Sequence, residues 1–141
     1  MRVLEAFEVS EKLASEGREC EIEFGGKVIA VVKVRPADAA LNSHYRRELA
    51  ELAVGMKGNG LDSIEDDVDR ELLWKLYART VVLGWTWTDP KDKKDAKLKF
   101  TETNAVRLFK RAPKFFQAIQ VVALRWGHYR AAHEEDAAGN S

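Results

Sequence analysis

The stretch from Glu19 to Arg35, ECEIEFGGKVIAVVKVR, constrains the fold more than any other part of the chain. Its first half alternates apolar and acidic side chains, which is the two-residue period of a strand with one buried face. Gly25 and Gly26 follow as a two-residue turn, since glycine tolerates the positive φ angles of a tight hairpin. The sequence therefore predicts a β-hairpin over residues 19–35.

The simplest pairing across this turn predicts which side chains share a face. One face would carry Cys20, Ile22, Phe24, Ile29 and Val31. The other would carry the glutamates of the first strand together with Val28, Ala30, Val32 and Val34. The second strand is then apolar on both faces, which is typical of a strand covered on both sides. Its cover is either the chain's own helices or the sheet edge of another copy, and both hypotheses stay open.

Helical periodicity dominates the chain after Pro36. Apolar residues recur at steps of three and four in the segments 41–56, 67–84, 102–112 and 113–135, as they do in amphipathic helices. Thr101 is a suitable N-cap for the third helix, and Pro113 must break or begin a helix because it lacks a backbone donor. The second helix is expected to end at Gly84.

These elements predict an α+β fold, a mainly helical single domain over residues 1–141 with an N-terminal β-hairpin. The hairpin would occupy residues 19–35 and the helical part residues 37–133. Residues 134–141 are predicted to form a disordered tail, since a polar, Gly-containing terminus has little to hold it down. With 45% hydrophobic residues, a chain of 141 residues has enough apolar material for one core.

No constellation of residues in the chain predicts catalysis. There is no P-loop, GxGxxG or GxSxG pattern, and the single cysteine, Cys20, lies in the apolar pattern of the first strand. His44, His128 and His133 lack the spacing that places two metal ligands on one helix face. We therefore expect a protein that is not an enzyme and uses neither a cofactor nor a metal ion. No apolar run is long enough for a membrane span, so we expect no membrane partner.

Two tryptophans and a lysine-rich loop leave one alternative open. Trp85 and Trp87 precede five lysines within residues 91–99, and such residues can stack bases and follow a phosphate backbone. Three aspartates interleave with the lysines, and the whole chain balances 23 basic against 23 acidic residues. We favour tryptophans that act as lids on the core and no nucleic-acid partner. A small nucleic-acid-binding or regulatory protein that uses Trp85, Trp87 and the lysine loop is the alternative.

The order of these landmarks resembles that of the tail assembly chaperones of long-tailed bacteriophages. The resemblance runs from about residue 7 to residue 140. Its most specific parts are Leu83-Gly84-Trp85 followed by Asp89, and then Phe100-Thr101 with Asn104, Leu108, Phe109, Pro113 and Ile119. A polar loop separates the two groups, as it does in that family.

The resemblance implies a chaperone that binds the tape-measure protein of the tail, keeps it soluble and helps to recruit tail-tube subunits. Such a protein works in the host bacterial cytoplasm and leaves before the virion is complete. Many members exist in a short form and a frameshifted longer form. We also expect a homo-oligomer, since a half-buried hairpin offers sheet addition between copies.

Two apolar stretches are the predicted contact surfaces for such a client or for other copies. They are the second hairpin strand and a stripe on the C-terminal helices, which together supply more apolar surface than one small core obviously needs. The predicted contact residues are Val28, Ile29, Val31, Val32, Val34, Phe109, Phe115, Phe116, Ile119 and Trp126. The C-terminal stripe fits a core as well as a binding surface, and both interpretations stay open.

Overall fold

The computed structural model describes residues 7–55, 67–88 and 99–133. In chain order its elements are α1 (Glu11–Glu16), β1 (Arg18–Phe24), β2 (Lys27–Val34), α2 (Ser43–Gly55), α3 (Asp67–Thr80), β3 (Val82–Trp87), α4 (Glu102–Arg111), α5 (Pro113–Ala123) and two 3₁₀ turns (Trp126–Tyr129 and Ala131–His133). The α+β prediction is confirmed. The lysines at 91–97 and the predicted tail at 134–141 lie outside the described residues.

The hairpin forms as predicted, but its register is displaced by one residue. Gly25 and Gly26 adopt φ angles of 61° and 78°, which suit the tight turn. A β-bulge then leaves Ile29 without a partner on β1, so that Ile22 pairs with Ala30 and Cys20 with Val32. Because side chains alternate between faces, this single extra residue reverses the faces of the side chains from Ala30 to Val34. The predicted face assignment was therefore wrong from Ala30 onward.

The displaced register decides which of the alternating side chains of β2 enter the core. Ala30, Val32 and Val34 are fully buried, whereas Val31 is only half-buried on the outer face. Ile29, at the bulge, is half-buried and packs against the core. The outer face also carries the exposed side chains of Glu19, Glu21, Lys33 and Thr86. Among the described elements, the helices that contact the sheet, α3 and α5, contribute to one core with its inner face. Cover of the outer face by another copy, the second of the two hypotheses, stays a prediction.

A third strand, β3, replaces the predicted end of the second helix. That helix was expected to run to Gly84, but α3 ends at Thr80 and the chain continues as β3. β3 pairs antiparallel with β2, with Val32 opposite Trp85 and Ala30 opposite Trp87. The three strands lie in the order β1-β2-β3, so β2 is central. Sheet pairing outweighs the helical periodicity here because β2 has a second edge whose backbone groups need partners.

The start of α4 is confirmed as predicted. The Thr101 hydroxyl accepts a hydrogen bond from the Asn104 amide at 3.1 Å, which caps α4. Pro113 occupies the first turn of α5, where its missing donor costs nothing. Ala112 alone therefore separates the two helices, and Pro113 begins the second of them.

Asn42 is a fully buried polar side chain that joins three elements. Its side-chain amide donates to the carbonyls of Pro36 at 3.0 Å and Thr80 at 2.8 Å. Its side-chain oxygen accepts from the amide of Tyr45 at 3.1 Å in the first turn of α2. This one side chain therefore caps α2, donates to the carbonyl of the last residue of α3 and donates to the carbonyl of Pro36, which follows β2.

Cys20 offers a direct measurement of how tightly the hairpin is packed. Burial raises the pKa of its thiol, and the charge of Glu21 raises it further. Because the thiolate is the reactive form, we expect labelling of Cys20 by a thiol reagent at pH 8 to be about a hundredfold slower in the native than in the unfolded protein. A Cys20→Ala, Ser15→Cys variant places the thiol on the exposed face of α1 and should label rapidly. Equal rates for the two native proteins would show that the hairpin opens freely.

Candidate protein-binding groove

A groove of about 900 Å³ lies between α3, α4 and α5. Each helix contributes residues three or four positions apart, so that one stripe of each helix faces the groove. The lining residues are Arg70, Glu71, Leu73, Trp74, Val106, Arg107, Lys110, Pro113, Phe116, Gln117 and Gln120. We call this site the groove.

The floor of the groove is apolar and firmly supported. Phe116 is buried, and its ring contacts Tyr77 edge-on at 4.9 Å and Phe109 at 4.8 Å. Trp74 and Val106 are half-buried and pack against the same core. Aromatic pairs in such geometries stabilise a core beyond the area they bury. The floor is therefore a preformed apolar surface.

The sides of the groove carry charge of mostly one sign. Arg70, Arg107 and Lys110 are basic and exposed, whereas Glu71 is acidic and lies 3.8 Å from Lys75 on the same helix. Arg107 and Lys110 stand three residues apart on α4, which places them on one helix face. The excess of positive charge favours an occupant with acidic side chains.

An ion-pair network holds the helices around the groove together. The Arg79 guanidinium on α3 contacts Glu102 at the start of α4 at 2.6 Å and Glu48 of α2 at 3.5 Å. The hydrogen bond to Glu102 raises the pKa of Arg79. Under the floor, burial raises the pKa of the Tyr77 phenol, so Tyr77 stays neutral at physiological pH. The contacts of Arg79 join α3 to α4 and to α2.

The chemistry of the lining residues suits binding. In the described part of the lining there is no His, Cys, Ser or Thr, and Glu71 is its single carboxylate. General acid–base catalysis needs two positioned titratable groups, and nucleophilic catalysis needs an activated hydroxyl, thiol or amine beside a base. Among the described residues, no three His, Cys, Asp or Glu side chains come together in a way that could hold a metal ion.

The structure scatters the predicted contact residues between core and surface. Val32, Val34, Phe109 and Ile119 are fully buried in the core, and Phe115 is nearly so. The burial of Phe109, Phe115 and Ile119 supports the core interpretation of the C-terminal stripe for these three residues. Half-buried Val28, Ile29 and Val31 lie on β2, and Trp126 is 38% exposed and stacks on Phe7. Of the predicted set, Phe116 is the residue that lines the groove.

The two tryptophans of the alternative hypothesis are packed on strand β3. Trp87 is buried and stacks on Phe115 at 5.5 Å with nearly parallel rings. Trp85 contacts Trp87, Phe100 and Phe115 edge-on. Both rings pack against the core, in line with the lid interpretation, but the two residues lie on a strand rather than beyond a helix end. Ring surfaces engaged in this way are occupied by protein, whereas base stacking needs an open ring face.

Sequence reasoning missed most of the groove. The sequence shows only the ordinary spacing of a solvated helix face at Arg70, Trp74, Arg107 and Lys110. That spacing does not indicate a binding site. Arg70 and Lys110 are forty residues apart in the chain, so their common location follows only from the packing of α3 on α4.

In the described ranges, no helix is long and apolar enough to cross a membrane.

Comparison with known proteins identifies one family. The family model described as YdaY prophage protein matches residues 31–140. The matched range contains every residue that lines the groove, as well as half of β2 and all of β3. No curated protein and no solved structure matches the chain significantly.

Proposed function

The chain belongs to the YdaY prophage protein family, and from this premise we propose that it is a tail assembly chaperone that binds the tape-measure protein. It would keep that protein soluble and help to recruit tail-tube subunits. The prophage origin makes a role in building a phage particle the natural setting. The order of motifs along the chain, which resembles the tail assembly chaperones, supports the finer assignment.

The observation that carries the proposal is the groove. Tape-measure clients of such chaperones are long apolar helices, and an amphipathic helix binds by laying its apolar face into an apolar groove. The floor of Trp74, Val106 and Phe116 supplies that surface, and Arg107 and Lys110 would pair with acidic residues beside it. The site recognises a helix face, which suits a client with a repetitive helical sequence.

The proposal assigns a binding role and no catalytic one. A groove with an apolar floor and one carboxylate can hold a client but offers no acid–base pair to transform it. The protein would act in the host bacterial cytoplasm and leave before the virion is complete, since a chaperone that stays bound would block the tail tube. Tail-tube subunits would be its second partner.

Co-expression with a candidate tape-measure protein from the neighbouring genes tests the proposal. We expect the wild-type chain to raise the soluble fraction of that protein and to co-purify with it. The double variant Arg107→Glu, Lys110→Glu should reduce the co-purified amount about tenfold or more, because reversed charges repel an acidic helix.

A matched variant separates the groove from general surface charge. Arg111 and Lys114 are exposed basic residues beside Lys110 that do not line the groove. Arg111→Glu, Lys114→Glu makes the same change in net charge and should leave capture unchanged. If the wild-type chain neither binds nor solubilises the tape-measure protein, the chaperone assignment is wrong. If both double variants lose capture equally, the groove is not the binding site.

A further inference from the structure

Strand β1 is an outer strand of the sheet, and half of its backbone groups point away from the sheet. On the other side of β2, the Thr88 amide donates to the Ile29 carbonyl at 3.1 Å, so the odd-numbered residues of β2 bond to β3. Because backbone groups alternate in direction along a strand, the even-numbered residues from Ala30 onward bond to β1, where their partners include Cys20 and Ile22. The β1 residues that alternate with these two therefore direct their amide and carbonyl groups toward the open edge.

The residues at this open edge are Glu19, Glu21 and Glu23, and we call residues 19–23 the β1 edge. In the part of the chain that the structure describes, no backbone hydrogen bond from another segment reaches these three glutamates. Their side chains are exposed on the outer face, where Lys33 lies opposite Glu19 and apolar residues lie opposite the other two. The β1 edge thus combines open backbone groups with two carboxylates that have no basic residue opposite them on β2.

An apolar side chain is exposed on the inner side of the same strand. Phe24 shares the inner face of β1 with Cys20 and Ile22, and it is 78% exposed, more than any other large apolar side chain in the described ranges. Helix α5 supports this face, since the Cys20 thiol lies 3.9 Å from the Ala118 carbonyl. A strand added beside β1 would therefore bring its inner side chains next to Phe24 and the flank of α5.

We propose that the β1 edge binds, as an added antiparallel strand, an extended segment of a partner protein in which basic and apolar side chains alternate. The backbone of that segment would bond to the open amide and carbonyl groups of the three glutamates, as in other cases of strand addition. Its basic side chains would lie opposite Glu21 and Glu23 on the outer face. Its apolar side chains would meet Phe24 on the inner face, in a non-hydrogen-bonded pair, where side chains approach most closely.

The sheet edges of a second copy lack this chemistry. Pairing of two β1 edges would place glutamates beside glutamates, and like charges opposite each other destabilise a pair of strands. The other outer strand, β3, has the sequence VLGWTW and carries no basic side chain. The partner is therefore a different protein. This inference goes beyond the proposed function and does not rest on it, because the groove lies between three helices and accepts a helix.

A capped synthetic peptide in which lysine alternates with valine is the probe. We expect one peptide to bind per chain in titration calorimetry, with a dissociation constant of about 0.1 mM that rises as salt is added. A peptide with glutamate in place of lysine should bind about tenfold more weakly or less. In this arrangement the lysine amides face β1 and the valine amides point away. Methylation of the lysine amides should therefore abolish binding, and methylation of the valine amides should leave it intact.

Variants of the chain locate the peptide. Glu21→Lys, Glu23→Lys reverses the charge of the β1 edge and should weaken binding about tenfold or more. Glu11→Lys, Glu51→Lys makes the same change in net charge at exposed helical positions and should bind like the wild type. Phe24→Ser removes the apolar contact and should weaken binding about threefold or more. Circular dichroism of each variant confirms that it is folded.

Hydrogen exchange measures the added backbone bonds directly. The amides of Glu21 and Glu23 should exchange rapidly in the free chain and about tenfold more slowly with saturating peptide. The Ile22 amide bonds to β2 and should be protected in both states. Self-association of the wild type that protects the two glutamate amides would assign the β1 edge to a second copy and overturn the proposal.

Three further outcomes would overturn it. They are no saturable binding of the lysine peptide at about 1 mM, equal binding of the lysine and glutamate peptides, and equal binding of the two methylated peptides. The variant Glu21→Lys, Glu23→Lys leaves the groove intact, so it should still capture a tape-measure protein. Failure of the wild type to capture that protein, with peptide binding intact, overturns the proposed function and leaves the β1 edge as a binding site.

Discussion

Replacing Asn42 by aspartate should destabilise the protein by about 4 kcal/mol. The side chain is fully buried, and its amide donates to the carbonyls of Pro36 and Thr80. A carboxylate of the same size has no donor to offer and would place a negative charge against two carbonyl oxygens. Urea unfolding monitored by circular dichroism measures the loss. Asn42→Ala removes these two hydrogen bonds and the one from the Tyr45 amide, but it adds no charge, so its deficit should be smaller.

The deficit of Asn42→Asp should depend on pH in a defined direction. Burial beside two carbonyl oxygens, with the Tyr45 amide as the one donor described there, raises the pKa of the new carboxyl in the folded state above its unfolded value near 4. The protonated form is then favoured by folding, so the deficit is smallest below about pH 4 and grows as the pH rises. Asn104→Asp is the matched control, since the half-buried Asn104 donates to one carbonyl, that of Lys99, and lies in the first turn of α4, where the helix N-terminus favours a carboxylate. Equal losses at the two positions would contradict the central role of Asn42.

The hairpin and the helix boundaries at Thr101 and Pro113 could be predicted because their causes are local. A glycine pair, a capping hydroxyl and a proline each act within a few residues of their own position. The strand β3 could not be predicted in this way. The apolar steps through Leu76, Thr80 and Leu83 suit a helix as well as a strand, and only pairing with β2 decides between the two structures.

The groove was beyond sequence reasoning for a related physical reason. Its floor and sides come from three helices whose apolar and basic residues have ordinary helical spacing, and the sequence does not state which faces meet. For the C-terminal stripe the sequence left a core and a binding surface open. Phe109 and Ile119 are fully buried in the core that the sheet shares with the helices, which supports the core interpretation for these two residues. A core that combines sheet and helix absorbs more aromatic side chains than a helix bundle of this length suggests.

The β-bulge at Ile29 is the feature whose consequences are largest relative to its size, since one extra residue determines the face of every side chain from Ala30 to Val34. Two adjacent substitutions test it. In the observed register Val32→Lys places an ammonium group in the core beside Trp85, whereas Val31→Lys places it on the outer face opposite Glu21. The undisplaced register reverses these locations.

We therefore expect Val32→Lys to destabilise the protein by at least about 3 kcal/mol, because the core around Val32 offers apolar contacts and no carboxylate. Val31→Lys should cost less than about 1 kcal/mol, because its charge reaches solvent and a cross-strand carboxylate. Urea unfolding of both variants under one set of conditions gives the difference directly. If Val32→Lys does not fold, Val32→Ala against Val31→Ala makes the same comparison with smaller losses. A larger loss at Val31 than at Val32 would restore the undisplaced register and remove the bulge from the fold.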